Sequence, residues 1–344
     1  MTDIKLTQYS HGAGCGCKIA PDVLETILKN PFPEQTFPGL LVGNHSKDDA
    51  AVFDLGNGEA IISTTDFFMP IVDNPEDFGG IASVNAISDI YAMGGSPLMA
   101  IAILGWPLDK IPAEIATRVL SGSRKACEQA GIPLAGGHSI DAPEPIFGLA
   151  VTGRVATHKL KRNNTARPDS LLYLTKPIGV GIITTAQKKG IVKDEHLEIV
   201  RKSMLTLNSA GAKIAELDYV SAMTDVTGFG LLGHLIELCQ SNNLSAEISF
   251  SKAPVFSFVD EYFKQGSFPG GTGRNLRSYG HHVDSMNDDW LRILADPQTS
   301  GGLLVAVDQS SADDFEKQMA DSGLELSPFG TLNPGKDQMI KVTD

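Results

Sequence analysis

Four aspartates are the residues of this sequence best placed to do chemistry. Asp49, preceded by Asp48, sits immediately before an apolar run, and Asp66 follows Ser63-Thr64-Thr65 at the end of the next one. Asp89 interrupts an apolar helical face formed by Ile81, Val84, Ile87 and Ile90, and Asp225 stands between a strand pattern and a Gly-rich turn. Any one of them alone reads as a cap, a turn residue or a solvated face. Together they lie at strand ends or on largely apolar elements, where a carboxylate needs a partner or a metal. Two carboxylates about 4 Å apart repel by roughly 4 kcal/mol at an effective dielectric near 20. A triphosphate would worsen the conflict, whereas Mg²⁺ ions bridging carboxylates and phosphates remove it, as in phosphoryl-transfer sites generally.

The second reactive cluster is Cys15-Gly16-Cys17-Lys18. A thiolate is a soft nucleophile, and a neighbouring lysine is expected to lower a thiol pKa. Structural zinc is a poorer reading, because no second Cys/His pair at finger-like spacing follows and His11 is weak support. Gly136-Gly137-His138-Ser139 follows a strand pattern and reads as a loop whose backbone N–H groups could cradle phosphate. Gly270-Gly271-Thr272-Gly273-Arg274-Asn275 is a second candidate of that kind, with a plain loop as its alternative. Gly228-Phe229-Gly230-Leu231-Leu232-Gly233 matches GxGxxG, but Asp225 just before it would repel a pyrophosphate. A tight turn aiming Asp225 at a metal is the better reading there. Asp296-Pro297-Gln298-Thr299-Ser300-Gly301-Gly302 reads as a rigid structural turn.

The elements that must position these groups are legible in outline. Residues 1–45 read as a mobile Gly-rich segment with a short helix over Pro21–Leu28. Ala51–Leu55 and Ala60–Thr64 flank Gly56-Asn57-Gly58, a hairpin signal. A helix is predicted over 77–93 carrying Asn85 and Asp89, a buried strand over 98–104, an amphipathic helix over 112–130, and strands over 134–140 and 146–155. The polar, basic stretch 158–168 is the expected linker between a first domain (46–157) and a second (169–344). In the second, strands are expected at 171–174, 245–250, 303–307 and 339–342, with helices at 231–240 and 312–322. Strands and helices mix without a regular βαβ beat, so the predicted class is α+β rather than a Rossmann sheet.

Length and composition agree. The chain has 344 residues, 42% of them hydrophobic, enough for a large core. A net charge of −13 disfavours nucleic acid and anionic membranes as partners. The four cysteines do not look like a disulfide framework, and Cys127 and Cys239 read as small core residues. No apolar stretch is long enough to span a bilayer and the N-terminus lacks a signal core, so the expected location is the cytoplasm.

The runs Ser10–Lys18, Asp48–Val52, Thr64–Phe68, Asn85–Asp89, Ala135–Ser139, Thr224–Gly230 and Asp296–Gly302 resemble bacterial selenophosphate synthetases (selenide, water dikinases), nearly end to end. The wider superfamily includes aminoimidazole ribonucleotide synthetase and thiamine-monophosphate kinase, in which the C-G-C-K loop is not expected. The resemblance implies a two-domain aminoimidazole ribonucleotide synthetase-like fold, with an N-terminal domain that forms a dimer β-barrel and a C-terminal α/β sandwich. It implies homodimers that turn ATP, selenide and water into selenophosphate, AMP and phosphate. Matched position by position, Cys15 and Lys18 are the essential pair, and Asp49, Asp89 and Asp225 are Mg²⁺ ligands. Lys18, Ser46, Lys47, Asp48, Asp66 and Asp89 are nucleotide contacts, while Gly137, His138 and Ser139 reach the partner's nucleotide across the dimer. His45-Ser46-Lys47 departs from the Glu-Thr-Arg-like triplet expected. A monovalent cation such as K⁺ is a further candidate cofactor, and selenium-using enzymes downstream are candidate partners. The rival readings are another small-molecule kinase or ATP-dependent ligase of the same superfamily, and a thiol-based metal or selenium carrier.

Overall fold

Residues 4–19, 21–29, 37–43, 48–336 and 338–344 are described by the computed structural model. After α1 (Pro21–Leu28), the first half runs β1 (Leu40–Val42), β2 (Ala51–Asp54), β3 (Glu59–Phe68), α2 (Pro75–Ala92), β4 (Ser96–Trp106), α3 (Ala113–Gln129), β5 (Leu134–Asp141) and β6 (Ile146–Ala156). Its six strands form one sheet in the order β1-β2-β3-β6-β4-β5, antiparallel except for β4 beside β5. The hairpin predicted at Gly56-Asn57-Gly58 joins β2 to β3, with Ala51 opposite Ser63 and Asp54 opposite Ala60. Period-two alternation in β3 sends Ile62 and Phe68 into the core, so Thr64 and Asp66 lie on that same face and Phe67 on the other.

The axle of the molecule is α2. Asn74 caps it by accepting from the Glu76 and Asp77 N–H groups (2.9 and 3.2 Å), Pro75 fills its first turn, and Gly94 at φ +76° follows its end. It is buried on nearly every side, between the sheet, α3 and the second half of the chain. A helix apolar all round belongs in such an interior, and the polar residues it carries there, Asn85 and Asp89, must find partners. Against α3 the packing is backbone to backbone: a Cβ at Gly79 would lie 1.8 Å from the Val119 carbonyl oxygen, and one at Gly122 the same distance from that of Glu76.

The second half runs β7 (Ser170–Leu174), α4 (Val180–Lys188), α5 (Asp194–Leu205), α6 (Ala210–Ile214), β8 (Val220–Asp225), α7 (Gly230–Asn242), β9 (Leu244–Ser249), α8 (Val259–Phe263), α9 (Gly270–Tyr279), β10 (Val283–Ser285), α10 (Asp288–Leu294), β11 (Leu303–Asp308), α11 (Ala312–Asp321), β12 (Gly330–Pro334) and β13 (Ile340–Thr343). Seven strands form a mixed sheet in the order β10-β13-β9-β12-β7-β11-β8. Its central strands are apolar on both faces: Leu172, Leu174, Leu304 and Ala306 join the main core, while Tyr173, Leu303, Val305 and Val307 join a second cluster with Phe315 and Met319 of α11. That is the pattern of a sheet sandwiched between helical layers.

Residues 157–169 connect the sheets as packed chain. The Lys161 ammonium is buried and donates to the Leu217 and Val220 carbonyls (3.2 and 2.8 Å). The halves are also joined by a bidentate pair from Arg201 to Asp77 (2.6 and 2.6 Å) and by Asn208, whose Nδ2 donates to Ser88 Oγ and the Gly301 carbonyl (both 2.8 Å). Two loop expectations are corrected. Gly136-Gly137-His138-Ser139 lies inside β5; Gly137 has φ +157°, and a Cβ there would lie 2.3 Å from the Ala102 carbonyl oxygen, so close strand pairing accounts for it. Gly270–Asn275 opens α9 instead of forming a loop.

Candidate active site

The carboxylates predicted to converge do so. Carboxylate oxygens of Asp49, Asp89 and Asp225 all lie within 4.8 Å of one another, the one metal-competent group of this kind among the described residues. They come from three places: the turn before β2, the fourth turn of α2 and the last residue of β8. Thr64 Oγ1 donates to Asp89 Oδ2 (2.5 Å) and Thr224 Oγ1 to Asp49 Oδ1 (2.9 Å). Asp49 Oδ2 and Asp225 Oδ2 are buried without a protein hydrogen-bond partner. Burial, then the neighbouring Asp225 charge, pushes Asp49 and Asp89 well above the usual carboxylate range, and burial raises Asp225 to about 6. Orphaned buried oxygens that repel one another fit a hard divalent cation with oxygen ligands.

The trio lines a pocket of about 580 Å³ together with Asp48, Asp66, Lys18 and Thr227, a size typical of small-molecule sites. Leu24 and Leu28 of α1 and Phe229 supply apolar wall. Lys18 Nζ stands 3.5 Å from Asp66 Oδ2 and 3.5 Å from Thr227 Oγ1. Burial alone would lower the Lys18 pKa, but the carboxylates around it, Asp66 foremost, reverse the effect and raise it. Asp48 Oδ1 accepts the Asn163 N–H (2.7 Å). His234 receives the Thr227 N–H at Nε2 (3.1 Å), which requires an unprotonated Nε2, and burial lowers its pKa to about 3.

The Cys15 loop is seated in the interior in this structure. Cys15 is 1% exposed. Its N–H donates to Thr299 Oγ1 (3.1 Å) and its Sγ to Asn85 Oδ1 (3.2 Å). The Gly14 N–H donates to the Met69 carbonyl (3.0 Å), and Arg274 Nη2 donates to the Gly16 carbonyl (2.6 Å). Gly14, at φ +50°, would place a Cβ 2.3 Å from Thr299 Oγ1, so the approach demands glycine. Lys18 does act to lower the thiol pKa, as expected, but the net shift in this geometry is upward. Burial, followed by the Asp66 charge, pushes Cys15 well above its ordinary value, while Lys18 opposes the shift without reversing it.

Ser46 and Lys47, expected nucleotide contacts, lie outside the described residues, as does His45. Gly137, His138 and Ser139 are not in this pocket. β5 is an exposed edge strand, and His138 is paired with Ile103 on the sheet face opposite the one that carries Asp66. Three contributors escape a reading of the sequence by residue type. Thr64 was recoverable from the two-residue period that puts it on the Asp66 face. Asn85 is fully buried on α2; its Oδ1 accepts from Cys15 Sγ and the Ser300 N–H (2.8 Å), and its Nδ2 donates to Asp66 Oδ2 (2.7 Å). Thr299 belongs to the turn expected to be only structural, whose buried polar side chains form the seat of the Cys15 loop.

Comparison with known proteins places this geometry. Residues 47–155 match "AIR synthase related protein, N-terminal domain" and residues 167–342 match "AIR synthase related protein, C-terminal domain". Among solved structures, thiamine-monophosphate kinase from Stenotrophomonas maltophilia superposes with a TM-score of 0.66 over 89% of this chain and 91% of that one, at 19% identity. The hydrogenase maturation protein HypE in complex with ATP superposes with a TM-score of 0.63 over 88% and 84%, at 16% identity. These distant likenesses establish the fold. Sequence relatives are far closer. Selenide, water dikinase of Aeromonas hydrophila is 59% identical over 343 residues, 99% of each chain. Its namesake in Cronobacter sakazakii is 59% identical over 333 residues, 97% of this chain and 96% of that one. That of Sulfurimonas denitrificans is 55% identical over 342 residues, 99% and 100% of the two chains. With both halves matched and such identity sustained from end to end, the chain belongs to the selenide, water dikinase family.

Proposed function

We propose that this chain is a selenide, water dikinase: it transfers a phosphoryl group from ATP to selenide and hydrolyses the remaining nucleotide, releasing selenophosphate, AMP and phosphate. The observation that carries this reading is that Lys18, three residues from a buried cysteine, reaches Asp66 in the same pocket as the Asp49/Asp89/Asp225 trio. An ordinary kinase needs the carboxylates and has no evident use for the thiol loop.

Asp49, Asp89 and Asp225 are the residues that would hold Mg²⁺, which when bound supplies positive charge against the polyphosphate. Asp48 and Asp66, with the 46–47 segment, would contact the nucleotide. Lys18 brings its cation to the terminal phosphate, where charge spreads over the equatorial oxygens in the transition state. To do so it exchanges Asp66 for phosphate, while Asn85 keeps Asp66 in place. The Gly-rich loop closes over bound ATP and keeps water from competing with selenide for the first transfer. Thr299, Asn85 and Arg274 hold the closed loop. Cys15, neutral when seated, gives its S–H to Asn85 Oδ1 and presents its soft, polarizable sulfur to the incoming selenium.

The homodimer belongs to the same proposal. The face of the first sheet opposite α2 carries Phe53, Phe67, Met99, Ile101 and Ile140, all 46% or more exposed. A contiguous apolar face of this kind marks an interface, and a second copy laid on it would complete a barrel. His138 shares that face, so its route to a nucleotide runs to the partner's pocket. Phosphorus NMR of a reaction with ATP, Mg²⁺ and selenide tests the whole: a phosphorus–selenium species with AMP and phosphate is expected, and ADP as the sole nucleotide product would mean an ordinary kinase.

A further inference from the structure

A second cavity, of about 290 Å³, lies against the nucleotide pocket. Among the described residues the two share Lys18 and Asp66 and no other lining residue. On the far side of that shared wall stand Cys15, Cys17, Phe68, Met69 and Ile146. We propose that this cavity is the vestibule through which hydrogenselenide reaches Lys18, separate from the nucleotide entrance. The inference rests on the dikinase reading above and extends it to the second substrate.

The chemistry of the wall selects the guest. Apart from Lys18 and Asp66 the described lining is apolar or sulfur-bearing, with Cys15 and Cys17 in it and the Cys17 thiol and Met69 thioether near one another: a Cβ added at Gly12 would lie 2.3 Å from Cys17 Sγ and 3.4 Å from Met69 Sδ. Burial raises both thiol pKa values, so at neutral pH they present S–H groups and not competing thiolates. Soft sulfur suits a large, polarizable, weakly hydrated anion, which loses little by leaving water. A hard, strongly hydrated anion such as phosphate would lose its solvation and find one cation in return. Asp66 does not repel the guest unscreened, since its Oδ2 is held by Asn85 and faces Lys18. The cavity exceeds one hydrogenselenide several-fold, as an entry path should, and among the described residues Lys18 is the cation that lines both cavities and can serve both substrates. At that wall a selenium lone pair attacks the terminal phosphorus of ATP. A Se–P bond forms, the P–O bond to the bridging oxygen breaks, its electron pair leaves on ADP, and the proton stays on selenium.

Ile146→Trp and, separately, Met69→Trp would narrow the cavity without touching the aspartate trio. Both positions are partly exposed, so each should fold; melting temperature is the control. Expected is a rise of about tenfold or more in KM for selenide, read from AMP formation under anaerobic conditions, with Mg-ATP affinity by equilibrium dialysis within about twofold of the parent. An unchanged KM for selenide in both variants, or equal losses in selenide and ATP binding, would overturn the assignment while leaving the dikinase reading intact. A parent enzyme that forms no AMP on addition of selenide would overturn the dikinase reading itself. Independent of turnover, crystals given hydrogenselenide and a non-hydrolysable ATP analogue should show an anomalous selenium peak between Met69 and Lys18. A peak elsewhere, or none at saturating selenide, refutes the vestibule.

Discussion

Replacing Asp225 by asparagine should make the metal-free protein more stable while abolishing its catalysis. Asp225 is 2% exposed, ends β8, and has an Oδ2 with no protein partner. Burial raises its pKa from 3.8 to about 6. At ~1.4 kcal/mol per tenfold change in proton affinity, that difference amounts to about 3 kcal/mol of destabilisation from this one carboxylate. A carboxyl with a higher pKa when folded than when unfolded binds its proton more tightly in the folded state. The penalty is therefore complete above about 6, fades as pH falls through that value, and has vanished below 3.8. Asparagine keeps the shape and removes the charge. Thermal melts in EDTA at pH 7.5 should show Asp225→Asn melting roughly 4 °C above the parent, a gap that closes on acidification toward pH 4. Mg²⁺ with a nucleotide analogue should reverse the order, since ligand at about 1,000 times its Kd adds about 4.1 kcal/mol to the parent alone. If Asp225→Asn melts below the parent in EDTA, or if Mg²⁺ stabilises both equally, the argument that this carboxylate is held in place for a metal is wrong.

Three further outcomes are expected. Cys15→Ser and Lys18→Ala should abolish selenophosphate formation and leave folding intact; selenide-dependent AMP release at the parental rate in either variant contradicts the role given to it. Gly79→Ala should cost about 3 kcal/mol or more, because its Cβ would sit 1.8 Å from the Val119 carbonyl oxygen and force α2 and α3 apart; a melting temperature within a degree of the parent would refute the backbone contact. Mixing His138→Ala with Lys18→Ala subunits tests the shared site: if His138 serves the partner's nucleotide, heterodimers carry one pocket with both defects and one with neither, and activity returns to a fraction of the parental level. No recovery after subunit exchange is shown to be complete speaks against it.

Much of the scaffold was legible from local pattern. Asn-Gly between apolar runs specifies the β2–β3 hairpin, and an apolar stretch led by Asn74-Pro75 specifies α2, because caps and turn residues act within a few positions of chain. The same locality explains the misreadings at 136–139 and 270–275. Glycine clusters signal loops by composition, yet at Gly137 the glycine is demanded by β4 passing close by, a neighbour that local sequence does not reveal.

Residue types alone determined which chemistry was available: acidic groups on apolar elements must find metal or one another, and a thiol beside a lysine must matter. Only the tertiary structure decided which groups meet. The order β2-β3-β6-β4, with α2 laid across it and β8 abutting α2, brings Asp49, Asp89 and Asp225 within 4.8 Å although 176 positions separate the first from the last. The same burial outweighs the lowering that Lys18 exerts on Cys15, since desolvation of a charge depends on everything packed around it and not on the adjoining residue. It also turns Asn85, noted in the sequence only as a residue of the predicted helix and of one family-like run, into the bridge between the thiol, Asp66 and the 296–302 turn.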